Sequence, residues 1–175
     1  MLDVSGHYLY MSDTGIDLIS GATVSSSSGT LTEMSKSPWP DEGGCNPPPN
    51  EAYNWAYPIA LAVDGTGKFL YVSNIGPQNI SIYSIGANGA WNFVKYYVPS
   101  SRYCTGNMAS DVPSNYLYVV NCDSPAVYQG SNGIAGYAIN HTTGDLTPTP
   151  GSPYTYPAPG SYNIFSTPMA LTVTP

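Results

Sequence analysis

The sequence predicts an all-β fold: about three four-stranded antiparallel sheets stacked as β-propeller blades, forming an incomplete propeller or part of a larger ring. Three observations carry this expectation. A short strand motif recurs three times without gaps, the composition favours strands and turns, and apolar residues occupy both faces of the strands. Stacked sheets bury both faces, which strict alternation with charge would not allow.

The recurrent motif anchors the repeat. Residues 3–13 read DVSGHYLYMSD, residues 64–74 DGTGKFLYVSN and residues 111–121 DVPSNYLYVVN. Each opens with an Asp (Asp3, Asp64, Asp111) and centres on an aromatic, Leu, Tyr, then Met or Val. The spacing between copies varies while the motif does not, so the variable lengths belong to loops. A second β-rich run follows each anchor: 80–85 (ISIYSI), 134–139 (IAGYAI) and a weaker first copy at 19–24. A turn and third run come next, where 24–39 (VSSSSGTLTEMSKSPW) aligns with 139–154 (INHTTGDLTPTPGSPY), and 85–94 (IGANGAWNFV) is a shortened version. Gly29, Gly89 and Gly144 coincide in this alignment, as a turn needing positive φ requires. The fourth strand precedes the anchor, at 58–64 (PIALAVD), 168–174 (PMALTVT) and the poorer 105–111 (TGNMASD). The chain therefore reads as one propeller segment of three repeats, 1–63, 64–110 and 111–175.

Composition supports this reading and excludes several functions. Charged residues make up 9% of the chain against about 25% in ordinary domains, and the difference is taken up by 16 Tyr, 18 Gly and 17 Pro with many small polar residues. Tyr, Val, Ile and Thr suit a pleated, half-buried surface, and Gly, Pro and Asn suit tight turns. The net charge of −7 includes only four cations, Lys36, Lys68, Lys95 and Arg102, scattered along the sequence. No basic footprint exists for nucleic acid or an anionic membrane, and no apolar run approaches a spanning helix. Low charge with abundant Tyr, Ser, Thr and Asn is the composition of secreted or surface proteins. It predicts an extracellular, cell-surface or periplasmic location, with no signal peptide in this chain.

At 67–74 (GKFLYVSN), 80–85 (ISIYSI), 142–154 (TTGDLTPTPGSPY) and 168–175 (PMALTVTP) the sequence resembles the β-propeller lactonase family, the 6-phosphogluconolactonase-like group with YVTN-type repeats. The resemblance implies a seven-bladed propeller and a lactone hydrolase. Its repeat residues are mostly structural, so the motifs specify architecture more than reaction. Thr174 and Pro175 align with Asp64 and Gly65, so the chain ends in the phase where it begins. Three blades are too few to close a ring. The expectation is a piece of a longer propeller or a chain completed by a partner, for instance two copies forming six blades.

Candidate sites fall mainly in the loops. Cys45, Cys104 and Cys122 lack metal-ligand spacing. Cys104 and Cys122 should share one rim of one blade, so a disulfide between them is weighed against separate thiols. His7 and His141 lie in turns on the opposite rim and read as structural or solvent-exposed. Asp13, Asn74 and Asn121 share a repeat position at the end of the anchor. They read as loop-bonding side chains or as oxygen ligands for Ca²⁺, the one cofactor entertained. The insertion at 40–57 gathers Asp41, Glu42 and Glu51 with Tyr53, Trp55 and Tyr57, a set suited to a glycan or cationic partner or to loop packing, with Ser161–Phe165 on the same surface. Asn79 and Asn140 match the glycosylation sequon. No nucleophile elbow, zincin, P-loop or EF-hand motif occurs.

Two functions follow as expectations. One is a binding or scaffold module acting on a protein or glycan through its rim loops, with no nucleic-acid or membrane partner. The alternative is the lactone hydrolase that the resemblance implies, for which Arg102 and Asp123 are the nearest catalytic candidates.

Overall fold

The recurrent anchors become equivalent strands of three antiparallel sheets, the first strand named in the first sheet and the second in the other two, and the segments around them supply the rest. The structure is a computed structural model described for residues 1–42, 56–99, 104–111, 115–122 and 133–155, with 104, 105, 121, 122 and 155 described by backbone alone. Among these residues all regular structure is strand. The first sheet contains β1 (Tyr8–Asp13), β2 (Leu18–Val24), β3 (Leu31–Glu33) and β4 (Trp39–Pro40). The second runs in sequence order through β5 (Pro58–Val63), β6 (Phe69–Asn74), β7 (Asn79–Ile85) and β8 (Trp91–Tyr97). The third holds β9 (Cys104–Asp111), β10 (Tyr116–Cys122), β11 (Gly133–Ile139), β12 (Leu146–Pro148) and β13 (Tyr154–Thr155). The second and third sheets gather the strand before the anchor with the strands after it, so these blades begin one strand earlier than the repeats.

The first sheet holds only the end of its inner strand. Leu2 bridges Leu9, and the Tyr10 amide donates to the Met1 carbonyl at 2.7 Å. This reproduces the pairing of Val63 with Leu70 at the end of β5.

In the first and third sheets the outermost strand is broken, β3 and β4 both pairing with β2, and β12 and β13 both with β11. The aligned sequences SKSPW and PGSPY explain the break. Ser37 Oγ accepts the Gly21 amide at 3.1 Å and Ser152 Oγ the Gly136 amide at 3.0 Å, so a hydroxyl stands where the strand's carbonyl would be. The second sheet lacks that serine and keeps β8 whole, with a bulge opposite Ile82 and Tyr83.

In the first two blades the turn before the anchor strand is held by its Asp. Asp3 Oδ1 accepts the amides of His7 and Tyr8, and Asp64 Oδ1 those of Lys68 and Phe69. Recurrence of Asp at this position thus serves a backbone cap.

Both faces of the inner strands of the middle sheet are covered, and every residue of β6 is buried. One face carries Leu61, Val63, Leu70, Val72, Tyr83 and Trp91 against Tyr10 and Ile19 of the first blade. The other carries Ala60, Ala62, Phe69, Tyr71, Ile80 and Ile82 against Leu117, Val119, Tyr137, Ile139 and Leu146 of the third. The same polar contact crosses each junction: Tyr10 donates to the Gly89 carbonyl at 2.9 Å, and Tyr71 to the Gly144 carbonyl at 3.3 Å. Gly89 and Gly144 have φ of 74° and 75°, and a Cβ on either would strike the ring of Tyr8 or Phe69. Glycine is therefore required by both backbone and neighbour.

His141 lies on the turn rim, as expected, and joins two blades. Its Nδ1 meets Asp64 Oδ2 at 2.8 Å, and its Nε2 meets Asn115 Oδ1. His7 is exposed.

Burial pushes the Asp64 carboxyl upward, but bonds from Thr66, the Phe69 amide, His141 and the Lys68 amide outweigh it and hold the group below the usual carboxylate range. A carboxylate depressed in the folded state contributes stability above its unfolded pKa, about 3.9, and loses it as pH falls through the folded value. Asp64→Asn should therefore cost about 1–3 kcal/mol near neutral pH. In chemical denaturation at a series of pH values, the gap to the parent should close below about pH 4.

Candidate functional site

The anchor strands end on the rim opposite the Asp-capped turns. Two tight turns, at 14–17 and 75–78, meet the ends of the 40–57 insertion there. Asp17 is the organiser. Held at φ 54°, it accepts the amides of Ala56 at 3.0 Å and Tyr57 at 2.8 Å through its carboxylate, while its carbonyl accepts the Asp41 amide at 2.9 Å. Both ends of the insertion are thereby tied to one turn. Thr14 adds a bond to the Pro58 carbonyl at 2.8 Å, and the amides of Ile75 and Gly76 reach back to the carbonyls of Tyr57 and Ala56. Sequence reading missed Asp17. The available signal was its place in a turn, where a non-glycine residue at positive φ favours Asn or Asp.

Asp41 is buried between the first two blades. Tyr83 donates to Asp41 Oδ1 at 2.5 Å and Ser81 does so at 3.2 Å, while the Glu42 amide donates to the Tyr83 hydroxyl. Asn74 Nδ2 donates to Ser81 Oγ at 2.7 Å and to Asn79 Oδ1 at 2.9 Å. A candidate ligand residue, Asp41, and a candidate metal residue, Asn74, are thus joined through one serine into a buried polar network. Burial, then the adjacent Asp41 charge, raises the Tyr83 phenol and keeps it a neutral donor.

The other candidates are placed as follows. Asp13 is exposed and accepts the Gly15 amide at 3.0 Å, which bonds its own loop. Asn121 is paired in β10, with its side chain outside the described residues. Among the described residues no three His, Cys, Asp or Glu side chains gather as a cation site. Glu42 and Tyr57 are exposed on the rim, whereas Glu51, Tyr53, Trp55, Arg102, Asp123 and Ser161–Phe165 lie outside the described residues. Of the two sequons, Asn79 is buried in β7 and Asn140 is exposed.

Two concavities flank this rim. A groove of about 380 Å³ runs along the inner strands, lined by Leu9–Ser12, Ile59–Leu61, Asn107 and Met108. A cleft of about 220 Å³ between the first two blades is walled by Trp39, Glu42, Tyr83, Trp91 and Phe93, with the Trp39 and Trp91 rings edge-on at 4.9 Å.

Cys104 and Cys122 are register partners at one end of β9 and β10. Directly opposed residues in an antiparallel pair have Cα atoms about 4.5–5.5 Å apart, inside the range a disulfide spans. Intact protein purified without reductant should be lighter by two hydrogens than the same protein after reduction, and alkylation without reduction should add one group. Peptide mapping should link Cys104 to Cys122 and leave Cys45 modified; alkylation at all three cysteines would refute the bridge.

The fold and loops can be set beside known proteins. The family model described as "Lactonase, 7-bladed beta-propeller" matches residues 44–161. Among solved structures, the chain is similar to a candidate 6-phosphogluconolactonase from Bacteroides fragilis, with a TM-score of 0.64 and 18% identity over 86% of this chain and 36% of the other. A counterpart from Bacteroides uniformis gives 0.63 and 16% identity over 85% and 38%. The periplasmic gluconolactonase of Pseudomonas aeruginosa gives 0.58 and 16% identity over 85% and 37%. The chain spans between 36% and 38% of the length of these three structures. None of the curated proteins matches it.

Proposed function

The chain belongs to the seven-bladed β-propeller lactonase family, and on that premise we propose that it forms part of an enzyme hydrolysing the ester of a sugar-acid lactone. The family match across 44–161 carries this reading, and it takes precedence over the binding-module expectation. Asp41, first among the residues expected to present a binding surface, is turned inward onto Ser81 and Tyr83.

Hydrolysis needs a base for water and a positive group for the oxygen that gains charge. We assign these roles to Asp123 and Arg102. Asp123 takes a proton as the water oxygen attacks the carbonyl carbon, and Arg102 faces the resulting oxyanion. Collapse breaks the ring C–O bond, and the departing alkoxide recovers the proton from Asp123. In sequence, Arg102 precedes β9 by two residues and Asp123 follows β10 directly, and Cys104 and Cys122 pair at that end of the two strands.

The cations argue for an uncharged lactone. Lys68 belongs to the opposite, Asp-capped rim, Lys36 to the break between β3 and β4, and Lys95 is paired with Asp145. Only Arg102 remains to meet a phosphate dianion on a chain of net charge −7. The low charge of the sequence and the proposed disulfide favour an extracytoplasmic location, as in the periplasmic gluconolactonase.

Proton release followed in a pH-stat should show hydrolysis of gluconolactone above the buffer rate, and faster than that of its 6-phosphate. Arg102→Ala and Asp123→Asn should each lower kcat by about 100-fold or more. Turnover no faster than buffer would overturn the activity, and faster hydrolysis of the phosphorylated lactone would overturn the specificity.

A further inference from the structure

The cleft between the first two blades is lined by more rings than blade stacking requires. Tyr83 of β7 lies between Trp91 and Phe93 of β8, with ring centroids 5.1 Å and 5.6 Å away, and Trp39 of β4 meets Trp91 edge-on. The junction between the second and third blades shows what packing alone needs. There Tyr137 is paired with Pro148 and Ile139 with Leu146, where the middle blade pairs Tyr83 with Phe93 and Ile85 with Trp91. Aliphatic side chains thus suffice at the positions of the two β8 rings. The fold also makes room for Trp39, because Gly21 lies against its indole and a Cβ there would come within 2.9 Å of the ring. Phe93 is 40% exposed, and Glu42 beside it in the lining is exposed as well.

We propose that this cleft binds a small quaternary ammonium cation, a trimethylammonium head group of the choline class. Such a cation is held by aromatic faces and a carboxylate, and it asks for no hydrogen-bond donor or acceptor. The lining matches that demand. The Tyr83 hydroxyl is committed to Asp41 and to the Glu42 amide, and the Trp91 N–H is buried, so both residues present ring rather than polar atoms. Glu42 supplies the negative charge, and no Lys, Arg or His is among the described residues that line the cleft. The net charge of −7 adds a pull on cations and opposes anions. A sugar ring, by contrast, needs donors as well as acceptors for its hydroxyls, and a carboxylate can only accept. The cleft shares no lining residue with the inner-strand groove, and the inference does not rest on the lactonase reading.

Nuclear magnetic resonance of the isotopically labelled chain, titrated with choline chloride at constant ionic strength, tests the site. The indole resonances of Trp39 and Trp91 should shift saturably, with a Kd of about 1 mM or below. Tetramethylammonium should act in the same way. The uncharged isostere of choline, with a tert-butyl group in place of trimethylammonium, and glucose should each bind at least about tenfold more weakly. Glu42→Gln, which removes the charge and keeps the shape, and Phe93→Leu, which removes a ring and keeps apolar volume, should each weaken choline binding about 3- to 10-fold. Glu42 is exposed, so its variant carries the test even where Phe93→Leu does not fold. The proposal is overturned by equal affinity for the uncharged isostere, by tighter binding of glucose, or by unchanged choline affinity in Glu42→Gln. The absence of a saturable shift up to about 50 mM choline overturns it too.

Discussion

A four-stranded sheet with apolar side chains on both faces cannot exist alone in water, and this constraint organises the molecule. Leu70 and Val72 project to one side of β6 while Phe69 and Tyr71 project to the other, and all four are buried. Each side chain of this size contributes about 1.5–3 kcal/mol on full burial, so losing either neighbouring blade would expose several such terms at once. The tyrosines add direction to a force that has none. Burial of Tyr10 and Tyr71 raises their phenols, with nearby carboxylates adding to the effect, and so keeps each hydroxyl a neutral donor. A buried hydroxyl without a partner is costly, and the Gly89 and Gly144 carbonyls supply that partner in only one register of blade on blade.

The two rims divide the remaining work. On the turn rim, polar side chains act on backbone and on one another: Asp3 and Asp64 cap their turns, and His141 ties the Asp64 cap to Asn115 of the next blade. The loop rim instead handles irregular lengths of chain. Asp17 fastens both ends of the 40–57 insertion, and Asp41 enters the gap between blades to bond Ser81 and Tyr83. An insertion whose ends are held in this way can vary between its fixed points without disturbing the sheets beneath.

Much of this was legible because repetition reports on structure directly. Aligning the copies placed the three anchors in equivalent strands, β1, β6 and β10, and put Gly29, Gly89 and Gly144 in equivalent turns, each at positive φ. Apolar residues on both strand faces announced burial on both sides. What stayed hidden was whatever occurs once or depends on distant partners. Asp41 lies in an insertion with no sister position, so nothing in the alignment could show that its carboxylate faces inward across 42 residues to Tyr83. Asn74 shares a position with Asp13, yet one is buried in a side-chain network and the other bonds its own loop. The neighbouring blade decides that difference. The broken outer strands were visible as aligned SKSPW and PGSPY, but the substitution of a serine hydroxyl for a strand carbonyl is a matter of geometry.

The same logic indicates where chemistry can reside. Residues that recur in register, such as the capping Asp, the inter-blade Tyr and the turn Gly, are committed to holding blades together, and a charged group inserted at those positions would forfeit a junction. Residues that break the repeat carry no such obligation. Arg102 and Asp123 fall outside the recurrent motif in sequence, and of the chain's four cations Lys68 belongs to the Asp-capped rim and Lys95 is paired with Asp145. On the proposed assignment, a single Arg on a chain of net negative charge would suit a small developing oxyanion better than a dianion already formed. On the same assignment the repeats supply the paired ends of β9 and β10 and the non-repeated positions supply the reactive groups, so stability and catalysis would draw on different residues.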